Sequence, residues 1–359
     1  MSAAPRLVSV ATAIPPHRAL QRDARSLAAH LFRETLAADP RLLRVFDHTE
    51  IEGRNTCMPL EWYGKDHDFA EKNALYVEHA LALAAEAGRA GLRRAGLQTH
   101  DIDHVVFVSS TGVATPSLDA RLANVLPLRA DVRRTPIWGL GCAGGAAGLS
   151  RARDFALADP GARVLLIAVE ICTLTFQRND LSKRNLVAAS LFGDGAAAVV
   201  VEGAGAHGAR AVNGAPEMIA SHSTIWPDSL DVMGWEVDGS GLHVVFSKDI
   251  PTIVREKVRP GLAAFLESRG LDLEGLEHVV AHPGGVKVLR AYAEALGRDP
   301  DTFRHSRDVL REHGNMSAPT CLFVLERLMA SAAMRAGEHA VVAALGPGFS
   351  SEYLLLRCA

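Results

Sequence analysis

The strongest constraint on the fold is that the order of features in the first half of the chain recurs in the second half. In each half an acidic residue precedes a His-Val-Val segment, and a glycine-led helix start and a second aliphatic segment follow. His104 and His278 lie 174 positions apart, and Cys142 and Asn315, at the two helix starts, lie 173 positions apart. A nearly constant offset, close to half of the 359 residues, indicates a duplicated unit. If the units are related by a pseudo-twofold axis, Cys142 and Asn315 face each other across the joint.

Each unit alternates short aliphatic segments with longer amphipathic ones. The predicted strands are β-branched segments at 104–108, 163–168, 278–281 and 340–344. The predicted helices have apolar residues three and four positions apart and cover 69–97, 145–157, 250–266 and 321–334. This alternation predicts an α/β layered fold. Because the chain exceeds the usual size of one core, we predict two halves, at residues 1–212 and 213–359.

Composition excludes several classes of protein. The chain has 38 Lys and Arg against 41 Asp and Glu and no run of like charges, so nucleic acid is not an expected partner. Its aliphatic stretches are far shorter than the ~20 residues that span a bilayer, and its start lacks the apolar core of a secretory signal. We therefore expect a cytoplasmic protein without a membrane partner. The five cysteines form neither a CxxC pair nor a Cys/His ladder, so we expect reduced thiols and no metal site.

Cys142 lies in a glycine-rich segment, 139–148, that follows a predicted strand and opens a predicted helix. Glycines allow sharp turns and close approach of the backbone. The positive end of the helix dipole and its unpaired N–H groups can lower the pKa of a thiol from ~8.5 towards neutrality. A lone cysteine is more often a small buried hydrophobe, but this context favours a nucleophile.

The same segment matches the GxGxxG pattern of dinucleotide-binding proteins between Gly139 and Gly144. That pattern needs an acidic residue about 20 positions further on, to bind the ribose. Glu170 follows Gly144 by 26 positions, so the spacing is loose. A dehydrogenase would also leave the second half without a role, and it is the weaker alternative.

Two polar motifs follow in the second half. His282 ends a predicted strand, at the sheet edge where ligands bind in α/β proteins, and an imidazole titrates near neutral pH. Most of the 15 histidines are expected to be ordinary surface residues, but the glycines after His282 favour a site. Asn315 and Ser317 open the next helix, where either residue could be a simple N-cap. The repeat, which pairs Asn315 with Cys142, favours a functional role.

A thiolate, an imidazole and a carboxamide together suit acyl transfer. The sulfur can carry an acyl group as a thioester, and the other two groups can stabilise negative charge on a carbonyl oxygen. A substrate that decarboxylates generates its own carbanion, so no additional base is required. A Cys-His protease, with the imidazole as base beside the sulfur, is left open by the sequence.

Specific motifs make the chain resemble the type III polyketide synthases, the chalcone-synthase-like branch of the thiolase superfamily. These motifs are GCAGG at 141–145, LFGDG at 191–195, HPGG at 282–285, GNMS at 314–317 and GPG at 346–348. The resemblance implies a duplicated αβαβα layered fold, a homodimer, and a Cys142-His282-Asn315 triad that works without a metal or prosthetic group. It also implies that the substrates are an acyl-CoA starter and malonyl-CoA, joined by repeated Claisen condensations before the product cyclises.

The resemblance assigns further residues to the substrate cavity. Phe192 matches the family's gatekeeping phenylalanine, and Thr115 matches a residue that reaches into the partner subunit's cavity. The other positions that match cavity residues are Cys172, Thr175, Ala188, Trp235, Val244 and Ser317. Arg41, Arg44 and His48 match the stretch that binds the phosphates of CoA, with His48 in place of the usual lysine.

Some positions depart from the plant pattern. Val244 replaces the second gatekeeping aromatic residue, Trp235 stands where plant enzymes often have glycine, and the terminal GPG motif lacks its preceding phenylalanine. Since a tryptophan buries on the order of 200 Å² and a glycine almost none, the cavity must differ in shape. The chain is similar here to bacterial members that make alkylpyrones or alkylresorcinols, which favours an aliphatic starter.

Other functions remain as alternatives at this point. A ketoacyl synthase that starts fatty acids by a single condensation would use the same triad but take its malonyl group from a carrier protein. The LFGDG, GNMS and GPG motifs favour the iterative enzyme. A dehydrogenase and a non-catalytic dimeric scaffold are less favoured.

Overall fold

A computed structural model describes residues 4–206, 208–209 and 214–359. Its strands are β1 (Arg6–Ala13), β2 (His17–Leu20), β3 (Gly53–Thr56), β4 (His104–Val108), β5 (Arg133–Ile137), β6 (Arg163–Ile171), β7 (Asp194–Glu202), β8 (Glu217–Ile225), β9 (Met233–Asp238), β10 (Gly241–Phe246), β11 (His278–Ala281), β12 (His339–Gly346) and β13 (Ser350–Arg357). Its α-helices are α1 (Gln21–Leu31), α2 (Arg33–Ala38), α3 (Phe69–Ala95), α4 (Leu118–Val125), α5 (Gly144–Ala158), α6 (Lys183–Leu191), α7 (Ile250–Ile253), α8 (Arg259–Glu267), α9 (Val286–Leu296), α10 (Arg304–His313) and α11 (Ala318–Ala330). The predicted boundary between the halves, at residues 212 and 213, lies outside the described residues.

The main sheet shows the duplication in its strand order. The order is β5-β4-β6-β7-β1 in the first half and β8-β13-β12-β11 in the second, and Arg6 of β1 pairs with Glu217 of β8 where the halves meet. In the first half β6 is parallel to β4 and antiparallel to β7. In the second half β12 is parallel to β11 and antiparallel to β13. The same arrangement on both sides of the β1–β8 junction confirms the predicted repeat.

Helices cover both faces of each half-sheet. Because successive strand residues point to opposite faces, Val106 of β4 packs with α5 and α11, whereas Val105 packs beneath α3. In the second half Val342 of β12 faces α5 and α11, and Val341 faces α8 and α9. The helices α5 and α11 thus form a central layer between the two half-sheets, and outer helices complete the predicted αβαβα arrangement.

The helix predicted over 250–266 is not continuous. It divides into α7, a π-helical turn at Val254–Val258 and α8. Pro260 lies in the first turn of α8 and has no N–H to donate to the carbonyl four residues earlier, so regular α-helical bonding is interrupted there. The other predicted helices and strands agree with the structure apart from a few residues at their ends.

Two short antiparallel ribbons lie outside the main sheet. One joins β2 to β3, and the other joins β9 to β10, in which Trp235 and Val244 are direct cross-strand partners. Among the helices of the described residues, none combines the length and the apolar character needed to cross a membrane.

Candidate active site

Cys142 lies on a 3₁₀ turn, Gly141–Ala143, between β5 and the first turn of α5. Gly141 has a φ of 47°, which residues with a side chain rarely adopt. Gly145, one turn further on, packs against the main chain of Ala318 in α11. The glycines therefore bring the starts of α5 and α11 into contact, and they leave Cys142 only 5% exposed.

Asn315 lies just before α11, with its main chain held by the end of α6. Its N–H donates to the carbonyl of Leu191 at 2.8 Å, and its own carbonyl accepts from the N–H of Gly193 at 3.0 Å. The side-chain Oδ1 accepts from the N–H of Ser317 at 2.8 Å and lies 4.0 Å from Sγ of Cys142. The sulfur and the carboxamide face each other, as the repeat predicts.

His282 follows β11, and its N–H donates to the carbonyl of Ala343 at 2.8 Å. The residue is 4% exposed, and neither ring nitrogen has a hydrogen-bond partner within the described parts of the chain. Burial lowers the pKa of His282 to about 3, so the imidazole is neutral at physiological pH. Nδ2 of Asn315 donates to the carbonyl of Gly284 at 3.3 Å, which joins the His282 loop to the carboxamide. The side chains predicted as a triad therefore come from loops that contact one another.

The prediction that the helix start lowers the thiol pKa is wrong. Burial raises the pKa of Cys142 to about 11, and the negative charge of Glu170 acts in the same direction. Hydrogen bonds with Ser317 and Asn315 oppose this shift without cancelling it. The reason is that full burial disfavours a thiolate more than a helix terminus favours it. Cys142 is therefore a neutral thiol at neutral pH until another group accepts its proton.

Glu170 belongs to the surroundings of the site, which the sequence did not indicate. It is fully buried near the end of β6, and its Oε2 accepts from the N–H of Ser110 at 2.9 Å and the hydroxyl of Thr111 at 2.8 Å. Burial raises the pKa of Glu170 to about 8. A carboxylic acid in this position cannot bind a ribose, which contradicts the dinucleotide interpretation. The sequence feature that could have indicated a buried Glu170 is an acidic residue inside an otherwise apolar strand.

The residues predicted to line the cavity lie together beside the triad. Cys172, Ala188 and Phe192 form a buried cluster against which Trp235 and Val244 pack. The ring centroids of Phe192 and Trp235 are 6.2 Å apart. Phe246, which the sequence analysis did not assign, also packs there, with its ring centroid 5.6 Å from that of Phe192.

A cavity of about 750 Å³, counting its open mouth, extends from this cluster. Its walls include the predicted residues Cys172, Thr175, Ala188, Phe192 and Val244. Helix α1 and Phe32 also line the cavity, and the sequence analysis assigned neither to it.

Four of the remaining predicted residues are exposed, and the fifth, Ser317, is buried. Arg41, Arg44 and His48 lie in and after the 3₁₀ turn Pro40–Val45, and Nε of Arg41 is 2.9 Å from Oδ1 of Asp39. Thr115 precedes Pro116 on the surface. Ser317 differs from these four, since it is buried next to Asn315.

Known protein families match the sequence over almost the whole chain. The sequence model of chalcone and stilbene synthases, N-terminal domain, matches residues 4–206, and that of the C-terminal domain matches residues 217–359. The chain belongs to the chalcone and stilbene synthase family.

Individual type III polyketide synthases are similar along their full length. A putative chalcone synthase of Bacillus subtilis (strain 168) is 40% identical over 357 residues, 97% of each chain. The 1,3,6,8-tetrahydroxynaphthalene synthase of Streptomyces peucetius subsp. caesius is 42% identical, over 98% of this chain and 92% of that one. The crystal structure of the corresponding synthase from Streptomyces coelicolor A3(2), a bacterial type III polyketide synthase, has a TM-score of 0.91 at 30% identity, covering 98% of this chain and 99% of that one.

These findings confirm the predicted fold and function class: the chain is a type III polyketide synthase, an acyltransferase-type condensing enzyme. In this synthase Gly144 and Gly145 serve the contact between α5 and α11, since both lie against Ala318. The dehydrogenase and scaffold alternatives are not supported.

Proposed function

We propose that this type III polyketide synthase condenses malonyl-CoA repeatedly onto an acyl-CoA starter held as a thioester on Cys142, and that the product cyclises to a pyrone or a resorcinol. The observation that carries the proposal is the approach of Sγ of Cys142 to Oδ1 of Asn315, at 4.0 Å, together with the bond from Nδ2 of Asn315 to the carbonyl of Gly284 on the loop of the buried His282. A sulfur, a carboxamide and an imidazole in one buried site are the groups that thioester chemistry requires.

In the first step the sulfur of Cys142 attacks the thioester carbonyl of the starter. The neutral imidazole of His282 accepts the thiol proton as the carbon–sulfur bond forms, because the thiol is otherwise protonated at neutral pH. The tetrahedral intermediate collapses with loss of the CoA thiolate, which takes up the proton. The acyl group then remains on Cys142.

In the second step the carboxylate of malonyl-CoA leaves as CO₂. The electron pair of the broken carbon–carbon bond forms an enolate, whose oxygen accepts hydrogen bonds from Nδ2 of Asn315 and from the N–H of His282. The Asn315 amide is available because its bond to the carbonyl of Gly284 is long, at 3.3 Å. The enolate carbon attacks the acyl carbonyl, and the Cys142 thiolate departs.

An aliphatic starter agrees with the cavity next to the triad. A cavity with mostly apolar side chains in its walls is typical of small-molecule sites. Its walls also include Leu27, Leu31 and Phe32, which offer apolar surface to an alkyl chain. Val244 leaves room where a second aromatic gate is expected. Removing alkyl groups from water contributes about 0.8 kcal/mol per methylene.

We further propose where CoA binds and how the subunits assemble. Arg41, Arg44 and His48 bind the CoA phosphates, and their exposure agrees with a phosphate site at the protein surface. Two copies of the chain form a homodimer in which Thr115 of each copy reaches the other's cavity. The enzyme acts in the cytoplasm on CoA thioesters and uses no separate cofactor.

Mass spectrometry of the products and of the enzyme tests this function. Wild-type enzyme with malonyl-CoA and a ladder of straight-chain acyl-CoA starters should yield malonyl-dependent pyrones or resorcinols. The peptide that contains Cys142 should carry the acyl group, and Cys142→Ala should give neither adduct nor product while keeping the wild-type circular dichroism spectrum. Product from Cys142→Ala would contradict the covalent mechanism.

Replacing malonyl-CoA by a malonyl carrier protein tests the alternative. The proposal predicts little turnover with the carrier-bound substrate and several extensions with malonyl-CoA. A single extension, supported only by the carrier protein, would instead favour a ketoacyl synthase that starts fatty acids.

A further inference from the structure

Arg54, on β3, is a buried arginine outside the triad. It is 3% exposed, and its two terminal nitrogens contact carbonyl groups at the end of α6. Nη1 donates to the carbonyls of Ala189 at 2.6 Å and Phe192 at 3.2 Å, and Nη2 donates to that of Ser190 at 3.0 Å. Nη2 also donates to Oε1 of Gln21. The guanidinium therefore holds a helix end and the gate residue that follows it.

These contacts are not those of an ordinary ion pair. Among the described residues, none of the carboxylates lies within salt-bridge distance of Arg54, and the nearest charge that acts on it is that of Asp194. Burial lowers the pKa of Arg54 to about 10, so the side chain remains charged at neutral pH. The last carbonyls of an α-helix have no partner within the helix and carry the negative end of its dipole. A buried cation without an ion-pair partner thus has its favourable interaction with the α6 terminus.

The end of α6 also holds the catalytic carboxamide. Leu191 accepts the N–H of Asn315, and Gly193 donates to the carbonyl of Asn315, on either side of Phe192. A shift of the helix end therefore moves Phe192 and the backbone of Asn315 together. Cys142 and His282 are held elsewhere, by the 3₁₀ turn before α5 and by the end of β11.

Gln21 lies between the end of α6 and residues 41–48. These residues are the segment proposed to bind CoA, called the CoA segment below. Its Nε2 donates to the carbonyl of Ser190 at 3.1 Å, to the carbonyl of Phe46 at 3.3 Å and to the hydroxyl of Thr49 at 2.9 Å. Phe46 and Thr49 flank His48. Gln21, at 8% exposure, is thus buried between the α6 terminus and the CoA segment.

We propose that Arg54, together with Gln21, is a positioning residue that fixes the end of α6 relative to the CoA segment and thereby sets the place of Phe192 and Asn315. This inference rests on the proposed roles of Asn315 in decarboxylation and of Cys142 in acyl transfer. Its consequence is selective: loss of the guanidinium impairs the steps that use Asn315 and spares acylation of Cys142.

The test separates the two half-reactions in Arg54→Lys. Lysine keeps the positive charge but cannot bind three carbonyls with a planar fork. Acylation of Cys142 by a saturating acyl-CoA, followed by intact-protein mass spectrometry, should stay within about threefold of wild type, because Cys142 and His282 are held by other elements. CO₂ release from malonyl-CoA should fall about a hundredfold, as expected when a reacting group is displaced by about 1 Å.

Arg153→Lys is the matched control. Arg153 is also a largely buried arginine that binds carbonyls, at 2.8 Å to Met218 and 2.6 Å to Ile219, but it has no contact with the end of α6 in the described structure. Any loss of folded enzyme in this variant should lower both half-reactions equally. Equal losses of acylation and CO₂ release in Arg54→Lys, or wild-type rates of both, would overturn the proposal.

Gln21→Ala tests the proposed positioning role if Arg54→Lys does not fold. This variant keeps the guanidinium but removes the contacts to Ser190, Phe46 and Thr49. With acyl-CoA and malonyl-CoA at saturating concentrations, CO₂ release should fall about tenfold, while acylation stays within about threefold of wild type. Equal effects on both steps would contradict the inference. Failure of the wild-type enzyme to form any acyl-Cys142 would instead contradict the proposed function, whatever the variants show.

Discussion

Cys142 and Asn315 occupy the same place in the two halves, yet the two helix starts are built differently. The start of α5 consists of small residues, and Cys142 has few polar partners apart from Ser317 and Asn315. The start of α11 is fixed by hydrogen bonds: the main chain of Asn315 is bonded to Leu191 and Gly193, and its side chain to Ser317 and Gly284. A symmetric fold thus places the proposed nucleophile opposite a carboxamide that is held by hydrogen bonds.

This difference indicates how a duplicated scaffold acquires chemistry. The repeat supplies two equivalent helix starts at one joint, and the reaction requires that they differ. The buried surroundings differ as well: Glu170 is the last residue but one of β6 in the first half, whereas β12 contains no acidic residue. The following predictions test the contrast between the two sides.

The largest expected effect concerns the reactivity of the nucleophile. Because burial raises the pKa of Cys142 to about 11, the thiolate fraction grows tenfold per pH unit below that value. Alkylation by iodoacetamide, measured on the Cys142 peptide, should accelerate about a thousandfold from pH 7 to pH 10 without a plateau. Cys321, in α11, should remain slower, because burial raises the pKa of this thiol to about 12. A plateau between pH 5 and 8 that disappears in His282→Gln would show instead a resting thiolate–imidazolium pair.

The second prediction concerns Asn315, the proposed hydrogen-bond donor to the enolate. Asn315→Ala removes one of the two proposed donors to the enolate oxygen, and CO₂ release from malonyl-CoA should fall by about 10²–10³. Formation of acyl-Cys142 should fall far less, because the sulfur and His282 are retained. Asn315→Asp, which keeps the shape of the side chain but loses the amide donor, provides the comparison. Equal damage to acylation and decarboxylation in Asn315→Ala would remove the division of roles between the two sides.

The third prediction concerns the contact between the helix starts. A Cβ added at Gly145 would strike the carbonyl oxygen of Ala318 and lie 2.5 Å from Sγ of Cys321. Gly145→Ala should therefore lower the free energy of unfolding by ~1–3 kcal/mol in chemical denaturation, the usual effect of overpacking. Gly161→Ala, at an exposed position where the nearest atom would be 3.6 Å away, should change it by less than ~0.5 kcal/mol.

A compensating change sharpens this third test. Adding Ala318→Gly to Gly145→Ala should not restore stability, because the atom that is struck belongs to the main chain. Recovery in the double variant would show that the side chain of Ala318, rather than its carbonyl, limits the approach of the helices.

The last prediction concerns the pH dependence of stability that Glu170 causes. Its pKa is raised to about 8 from an ordinary value of 4.5, so between these values the native state keeps a proton that the unfolded state has lost. Stability from this group is therefore present at low pH and is lost as the pH rises through 8, by at most ~1.4 kcal/mol per pH unit. Denaturation of wild type and Glu170→Gln at pH 5 to 8 should show a shallower decline in the variant. Parallel declines would mean that Glu170 is already ionised in the native state.

Much of the fold could be predicted because it depends on local patterns. The alternation of apolar residues fixes strands such as β4 and β11, and the offset of 173 positions between Cys142 and Asn315 reflects a repeat that the sheet order confirms. The interruption of the helix before Pro260 was missed, although proline itself gave the signal. The motifs around Cys142, His282 and Asn315 named the residues that the fold brings together.

The tertiary structure decided the protonation states and the alignment of the side chains, which depend on burial and on distant contacts. No local pattern shows that Glu170 is fully buried, that Cys142 is a neutral thiol, or that Arg54 holds the end of α6. Each of these depends on solvent exclusion by segments far away in the chain, and the cost of a buried charge varies with those segments. The sequence by itself determined which groups we propose to react, because residue type and repeat position carry that information. Their protonation states and alignment followed only from packing.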